Sequence, residues 1–486
     1  MALQRSGDEP GTTDDSSSQA PRDEEHHVAE QDEFDMVILG GGSGGYAAAL
    51  RGAELGLSVA LVEKDKLGGT CLHRGCIPTK ALLHAAEVAD SARESETYGV
   101  KATLEGIDVP AVTKYREGVV GRLYKGLQGL VKSRKVTYVE GMGRLVEPHV
   151  VEVEGRRLRG TNVVLATGSY PRTLPGLEVG GRILNSDGAL ALDHVPASVI
   201  VLGGGVIGVE FASVWRSFGA EVTIVEALPR LVAAEDEAIS KAFERAYRKR
   251  GIAFKTGVRF SGATQDDDGV TVTLESGDEL RAEYLMVAVG RGPVSEGLGY
   301  EEAGVSVERG FVPTDIRLRT GVEGVFAVGD IVPGLQLAHR GFAHGIFVAE
   351  EIAGLDPQPV IDVMVPRVTY SEPEIASVGL TEAQAVEKLG ADKVSTYEYN
   401  LGGNGKSQIL GTAGFIKLVR EVDGPVIGVH AVGTRMGEQI GEGQLIVNWE
   451  AYPEDVAALI HAHPTQNEAM GEAHLALAGK PLHAHS

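Results

Sequence analysis

One arrangement occurs twice in this chain and limits its fold more than any other feature: an apolar strand, a glycine-rich turn, a helix, and a second strand ending in an acid. The first copy runs Met36-Val37-Ile38-Leu39, Gly40-Gly41-Gly42-Ser43-Gly44-Gly45, a helical stretch from Tyr46 to Leu55, then Val59 to Val62 closing on Glu63. The second runs Val199-Ile200-Val201-Leu202, Gly203-Gly204-Gly205-Val206-Ile207-Gly208, a helix to about Phe218, then Val222 to Val225 closing on Glu226. In both, the acid stands 18 positions after the last glycine. Such a unit binds a dinucleotide for physical reasons. Gly40 and Gly203 allow the tight turn, and Gly42 and Gly205 let backbone N–H groups approach a pyrophosphate at a helix N-terminus. Gly45 and Gly208 let the helix pack closely on the strand. Glu63 and Glu226 then accept ribose hydroxyls. A carboxylate at 226 pairs with a free 2′-hydroxyl and repels a 2′-phosphate, so the second unit is expected to prefer NAD(H) over NADP(H). Arg230, close by in sequence, is the one feature that pulls the other way.

A chain of 486 residues exceeds one core and is expected to divide into about three domains. Its 65 glycines and low aromatic content suit an α/β protein with many tight strand-to-helix turns. The net charge of −23 argues against nucleic acid or an anionic membrane as partner and favours a basic protein surface. No apolar run approaches the roughly 18 residues that span a bilayer, and the N-terminus lacks an apolar signal segment. A soluble, cytoplasmic protein is expected. Residues 1–33 carry ten Asp or Glu against two Lys or Arg and read as a disordered acidic tail.

The chain has two cysteines, Cys71 and Cys76, in Gly68-Gly69-Thr70-Cys71-Leu72-His73-Arg74-Gly75-Cys76-Ile77-Pro78-Thr79-Lys80. A bridge closing so short a loop constrains the unfolded chain little, so stability is a poor reason for the pair. A redox-active disulfide fits better. The helical run expected from Thr79 sets both sulfurs near a helix N-terminus, where thiol pKa values fall.

Two dinucleotide units with a C-x-x-x-x-C pair after the first resemble the flavoprotein disulfide reductases, from Phe34 to the C-terminus. Ala166-Thr167-Gly168, Val289-Gly290-Arg291, Ala327-Val328-Gly329-Asp330 and Leu337-Ala338-His339 are similar to that family's segments. The resemblance implies FAD in the first unit, with Asp330 on its ribityl chain and Gly143, Thr167, Gly168 and Ala338 around it. It implies NAD in the second unit, with Gly290 beside it, and Lys80 and Glu210 as an ion pair between flavin and nicotinamide. Cys71 would be the thiol that exchanges with substrate, and Cys76 the thiol facing the flavin. His461-Ala462-His463-Pro464-Thr465-Gln466-Asn467-Glu468 looks like the family's acid–base motif, with His463 as base and Glu468 orienting it, while His461 has no assigned role.

The fold so implied is α/β: an FAD-binding domain at 34–185 completed by 286–355, an NAD-binding domain at 186–285, and a C-terminal α+β dimerisation domain at 356–486. In the homodimer, His463 of one chain would serve Cys71 of the other. Glu226, the absence of cysteine beyond Cys76 and the segment Cys71 to Pro78 resemble the branch that oxidises dihydrolipoamide with NAD⁺. Members of that branch are the flavoprotein component of 2-oxoacid dehydrogenase complexes, acting on lipoamide carried by the acyltransferase subunit. A reductase of another small disulfide, such as mycothiol or coenzyme A disulfide, is the alternative within enzymes. A non-catalytic flavoprotein scaffold has no use for Cys71, Cys76, His463 and Glu468 together. His344 departs from the acidic residue of many relatives, with bulky Phe347 nearby, and is expected to affect either the flavin surroundings or the dimer contact. Residues 401–406 read as a turn-rich loop.

Overall fold

The computed structural model describes residues 31–484, so residues 1–30 of the expected tail lie outside the described residues. The first strand, β1 (Gln31–Leu39), starts within the acidic segment, because residues 31–33 pair in register with 157–159. Met36, Val37 and Ile38 are fully buried, as a central parallel strand covered on both faces requires. Helix α1 (Ser43–Glu54) follows the glycine turn, then β2 (Val59–Glu63). The helix begins three residues earlier than the sequence suggested, so the last glycines of the motif are its first turn.

Among the described residues, seven strands make the first sheet: Thr137–Glu140, β2, β1, Arg156–Leu165, Val150–Val153 and Gly143–Glu147 in that order, with Val325–Ala327 also pairing on Arg156–Leu165. The chain therefore returns to this sheet after making the second. The second sheet has five parallel strands in the order Ala253–Thr256, Glu221–Glu226, Ser198–Leu202, Tyr284–Val287, Ile183–Leu184. Its helix, Val206–Phe218, is buried along most of its length. A third, antiparallel sheet follows the order Arg367–Thr369, Glu374–Gly379, Val426–Gly433, Phe415–Glu421, Val394–Asn400 and is backed by the helices Met436–Asn448 and Glu468–Leu477. The α/β architecture with two dinucleotide folds and an α+β C-terminal unit is as expected.

Charged groups dock the third sheet on the second unit. Asp236 caps the helix Glu237–Lys249 through the Ala238 N–H, and the same carboxylate accepts from Lys417 Nζ at 2.9 Å. Lys417 also donates to Glu382 at 2.6 Å, and Arg367 reaches Glu235 at 3.3 Å. Asp236, Glu235 and Lys417 are all buried. Removing Lys417 costs about 3–5 kcal/mol, because Asp236 then stays buried without its counter-charge. No helix among the described residues is long and apolar enough to cross a membrane.

Candidate active site

Cys71 lies in the short helix α2 (Gly69–His73), and Cys76 is the first residue of α3 (Cys76–Glu94). The helix thus starts three residues before the expected Thr79, which puts the second sulfur on the N-terminal turn itself. Both cysteines stand as free thiols, the reduced form of the expected disulfide. They titrate as a pair with opposite fates. The bond from Cys71, then the nearby Lys80 charge, pull Cys76 down to about 7 against the effect of burial. The same hydrogen bond, burial and the negative charge arising on Cys76 push Cys71 up. The reduced pair ionises first at Cys76 while Cys71 keeps its proton, so Cys71 needs a base to become a nucleophile.

A continuous cavity of about 1040 Å³ joins this pair to both glycine turns. Gly42, Gly168, Asp330 and Ala338 line it from the first unit, and Gly203, Gly205, Glu226 and Gly290 from the second. Thr167, Gly143, Gly40 and Glu63 line a separate small cavity at the far end of the first turn. Gly45 and Gly208 line neither, and their role is packing. A Cβ on Gly45 would stand 1.8 Å from Gly40 O, and one on Gly208 2.0 Å from Gly203 O. The two acids make matching bonds. Glu63 accepts from Gly41 N at 2.7 Å and Asp65 N at 2.9 Å; Glu226 accepts from Gly204 N at 2.5 Å and Leu228 N at 2.7 Å. Arg230 points away, donating to the carbonyls of Ala233 and Glu235.

Between the units, Lys80 Nζ donates to both oxygens of Glu210 at 2.8 Å. Glu210 is only 3% exposed and takes a third bond from Tyr370 N at 2.9 Å, while the Tyr370 ring lies 4.7 Å from the ammonium. Burial alone would lower the Lys80 pKa, but Glu210 overrides it and holds the ammonium above its usual value. A relay that the sequence did not reveal fixes Asp330: Arg291 Nε donates to Ser169 Oγ at 2.8 Å, and Ser169 Oγ donates to Asp330 Oδ2. Arg291 and Ser169 directly follow Gly290 and Gly168, and only the pairing of the strands 169–171 and 291–293 brings them together.

The histidine pair forms as expected, on a different face. His463 Nδ1 donates to Glu468 Oε1 at 2.8 Å, leaving Nε2 without a partner among the described residues, and Glu468 Oε2 accepts from Thr465 N at 2.7 Å. Burial would raise the Glu468 pKa, but the Thr465 N–H and His463 outweigh it and keep the carboxylate charged. His463 is 78% exposed and, among the described residues, is not part of the lining of the cysteine cavity.

Residues 34–345 match the family model described as pyridine nucleotide-disulphide oxidoreductase, and residues 365–474 match the dimerisation domain of the same family. The chain belongs to the pyridine nucleotide-disulphide oxidoreductases. A dihydrolipoyl dehydrogenase of Bacillus subtilis is 40% identical over 461 residues, covering 90% of this chain and 97% of that protein. The mitochondrial dihydrolipoyl dehydrogenase of Pisum sativum is 38% identical over 455 residues, covering 90% of each. The crystal structure of LpdA from Mycobacterium tuberculosis superposes with a TM-score of 0.85 at 25% identity, covering 92% of this chain and 99% of that one.

FAD and NAD are the cofactors of these oxidoreductases, and the residues present fit both. The helices at Ser43 and Val206 have no side-chain cap and no acid in their first turns, so their N–H groups stay open to the cavity. A Cβ at Gly42 or Gly205 would meet nothing within 4 Å, which leaves space for a phosphate there. His344, expected to affect the flavin surroundings or the dimer contact, lies inside the core and bonds to Gly329, which lines the cavity beside Asp330. His344 is buried in the helix Ala338–Ile352, accepts from Gly329 N at 3.3 Å through Nδ1, and is pushed down to about 4 by burial. Phe347 is likewise core. The expected loop at 401–406 is instead a 3₁₀ turn, Leu401–Gly403, and the start of a helix, Gly405–Leu410, capped by buried Asn404.

Proposed function

We propose that this chain oxidises dihydrolipoamide to lipoamide with NAD⁺ as acceptor, working through Cys71, Cys76 and FAD. The observation that carries it is the single cavity in which a dithiol pair, one member an easily formed thiolate, lies between two dinucleotide cradles. Relatives named dihydrolipoyl dehydrogenase match over nine-tenths of the chain and support the substrate.

In the oxidising half, one substrate thiolate attacks Cys71 sulfur of the disulfide, and Cys76 leaves as a thiolate. The second substrate thiol then displaces Cys71, giving a cyclic substrate disulfide and the reduced enzyme pair; of the two substrate protons, one passes to the Cys71 sulfur and one stays on the base while Cys76 remains a thiolate. Cys76 is the better leaving group because its pKa is the lower of the two. His463 takes the substrate protons at Nε2, and Glu468 holds the imidazolium. Lys80, fixed by Glu210, keeps a positive charge beside the Cys76 thiolate. When bound, FAD and NAD⁺ supply the two-electron transfer that returns the pair to its disulfide. Glu226 selects NAD⁺, and the engaged Arg230 leaves a 2′-phosphate without that partner.

The base acts on the other subunit. Its exposure, and that of Leu459 and Ile460 a few residues before it in the chain, suit a face that a second copy covers. In this reading the FAD domain comprises 34–185 with 286–355, the NAD domain 186–285 and the interface domain the residues from 356. The lipoyl substrate comes on the acyltransferase of a 2-oxoacid dehydrogenase complex, whose basic docking surface the charge of −23 suits. Cycling between dithiol and disulfide suits a reducing compartment such as the cytoplasm. The direct test is steady-state turnover with dihydrolipoamide and NAD⁺, beside NADP⁺ and beside NADH with glutathione or mycothiol disulfide. Turnover on another disulfide alone would refute the substrate. Mixing Cys71→Ser with His463→Ala chains tests the shared site: heterodimers that regain no activity refute it.

A further inference from the structure

The loop that carries His463 and Glu468 is tied at both ends to one side chain. Glu442, on the helix Met436–Asn448, accepts from His461 Nε2 at 2.9 Å through Oε1 and from Asn467 Nδ2 through Oε2. His461 lies two residues before the base, and Asn467 one residue before the carboxylate that orients it. Within the loop, Thr465 Oγ1 donates to Ala462 O at 2.7 Å. From outside, Asn404 Nδ2 donates to Thr465 O at 2.9 Å and Gln466 Nε2 donates to Thr434 O at 3.0 Å. Among the described residues, Glu442 alone spans both ends.

We propose that Glu442, acting through His461 and Asn467, is a positioning residue for the His463–Glu468 pair. The inference rests on the proposed thiol chemistry and shared site, and gives His461 a role. A loop anchored at one end can drift by an ångström, and proton transfer to the imidazole needs hydrogen-bond contact with the reacting thiol. The carboxylate charge belongs to the device. His461 is held above its usual pKa first by its bond to Glu442, and the bonds from His461 and Asn467 keep Glu442 ionised although burial opposes it. The other titratable groups facing the clamp are Glu468 and the buried, neutral His474.

The test uses Glu442→Gln, which keeps the side-chain shape, and a probe that does not depend on the physiological substrate. In the NADH-reduced, FAD-loaded dimer, the rate of Cys71 alkylation by iodoacetamide is followed against pH by mass spectrometry. The clamp predicts that the midpoint moves up by about one pH unit or more in Glu442→Gln, because Cys71 loses its base. NADH-to-ferricyanide turnover and FAD content should stay within about twofold, and dihydrolipoamide turnover should fall about tenfold or more. His463→Gln is the reference. If it shifts the midpoint and Glu442→Gln does not, the clamp is wrong and the shared site stands. If neither variant shifts it, both ideas fall. Equal losses of ferricyanide turnover and FAD in Glu442→Gln would make the residue merely structural and also overturn the proposal.

Discussion

The low pKa of Cys76 depends first on a partner that the catalytic cycle itself provides. In the reduced pair hydrogen bonding from the neighbouring Cys71 thiol is the largest influence bringing Cys76 from 9.0 to about 7. At 1.36 kcal/mol per pKa unit, the fall is worth about 2–3 kcal/mol in favour of the thiolate. Lys80 and the Cys76 backbone N–H help, while burial and Glu210 oppose. Replacing Cys71 by alanine removes the donor and leaves burial set against Lys80 alone with the backbone. The midpoint for Cys76 should then rise by at least about one pH unit. Alkylation of Cys76 by iodoacetamide against pH measures it, with Lys80→Met as a second variant whose midpoint should also rise, by less. A Cys71→Ala protein that still titrates near 7, with Lys80→Met titrating well above it, would refute the assignment and make the lysine the main source of the low pKa.

Replacing Glu226 by alanine removes a charged acceptor, worth about 1.5–3 kcal/mol, so kcat/KM for NAD⁺ should fall about 10- to 100-fold while NADP⁺ loses less. Steady-state kinetics with both nucleotides reads this. Glu210→Ala leaves the Lys80 ammonium without its partner; because Lys80 keeps some solvent contact, about 3 kcal/mol, the low end for buried pairs, is expected in chemical denaturation. Glu210→Ala combined with Lys80→Met should recover part of that loss. His344 and His474 are both pushed down to about 4 by burial, below their ordinary 6.5. Between those values the unfolded chain binds more protons than the folded one, so stability should fall as pH drops from 6.5 to 4, by up to about 3 kcal/mol per histidine. His344→Gln should flatten that slope in denaturant titrations at pH 4 to 7.

What the sequence made legible was whatever depends on local backbone geometry. The two glycine turns, their helices and their terminal acids obey spacing rules that act within about 30 residues, and each acid was found bonded to its own turn. The Cys71–Cys76 pair and the His463–Glu468 pair were legible for the same reason, since the members of each stand five positions apart. Helix starts were less so. The first turns at Ser43 and Cys76 carry no capping side chain to announce them, the open N–H groups being what a phosphate or a thiolate needs.

Contacts that close over long chain distances left no mark in the sequence pattern. Ser169 and Arg291 meet only because two short strands pair, and Asn404 reads as loop because its partner, Thr465, is 61 residues away. Arg230 shows the same limit in reverse. Four residues from Glu226, it looked able to receive a 2′-phosphate, yet its guanidinium is spent on the carbonyls of Ala233 and Glu235 and on Ser240 Oγ, inside the turn that leads to Asp236. Freeing it would uncap that turn, beside the buried Asp236–Lys417 contact that docks the dimerisation domain. Arg230 therefore serves the turn beside the docking contact and takes no part in nucleotide choice. Arg230→Ala should leave the preference for NAD⁺ intact and lower thermal stability, and a gain in NADP⁺ discrimination from that change would show that the arginine had been facing the nucleotide after all.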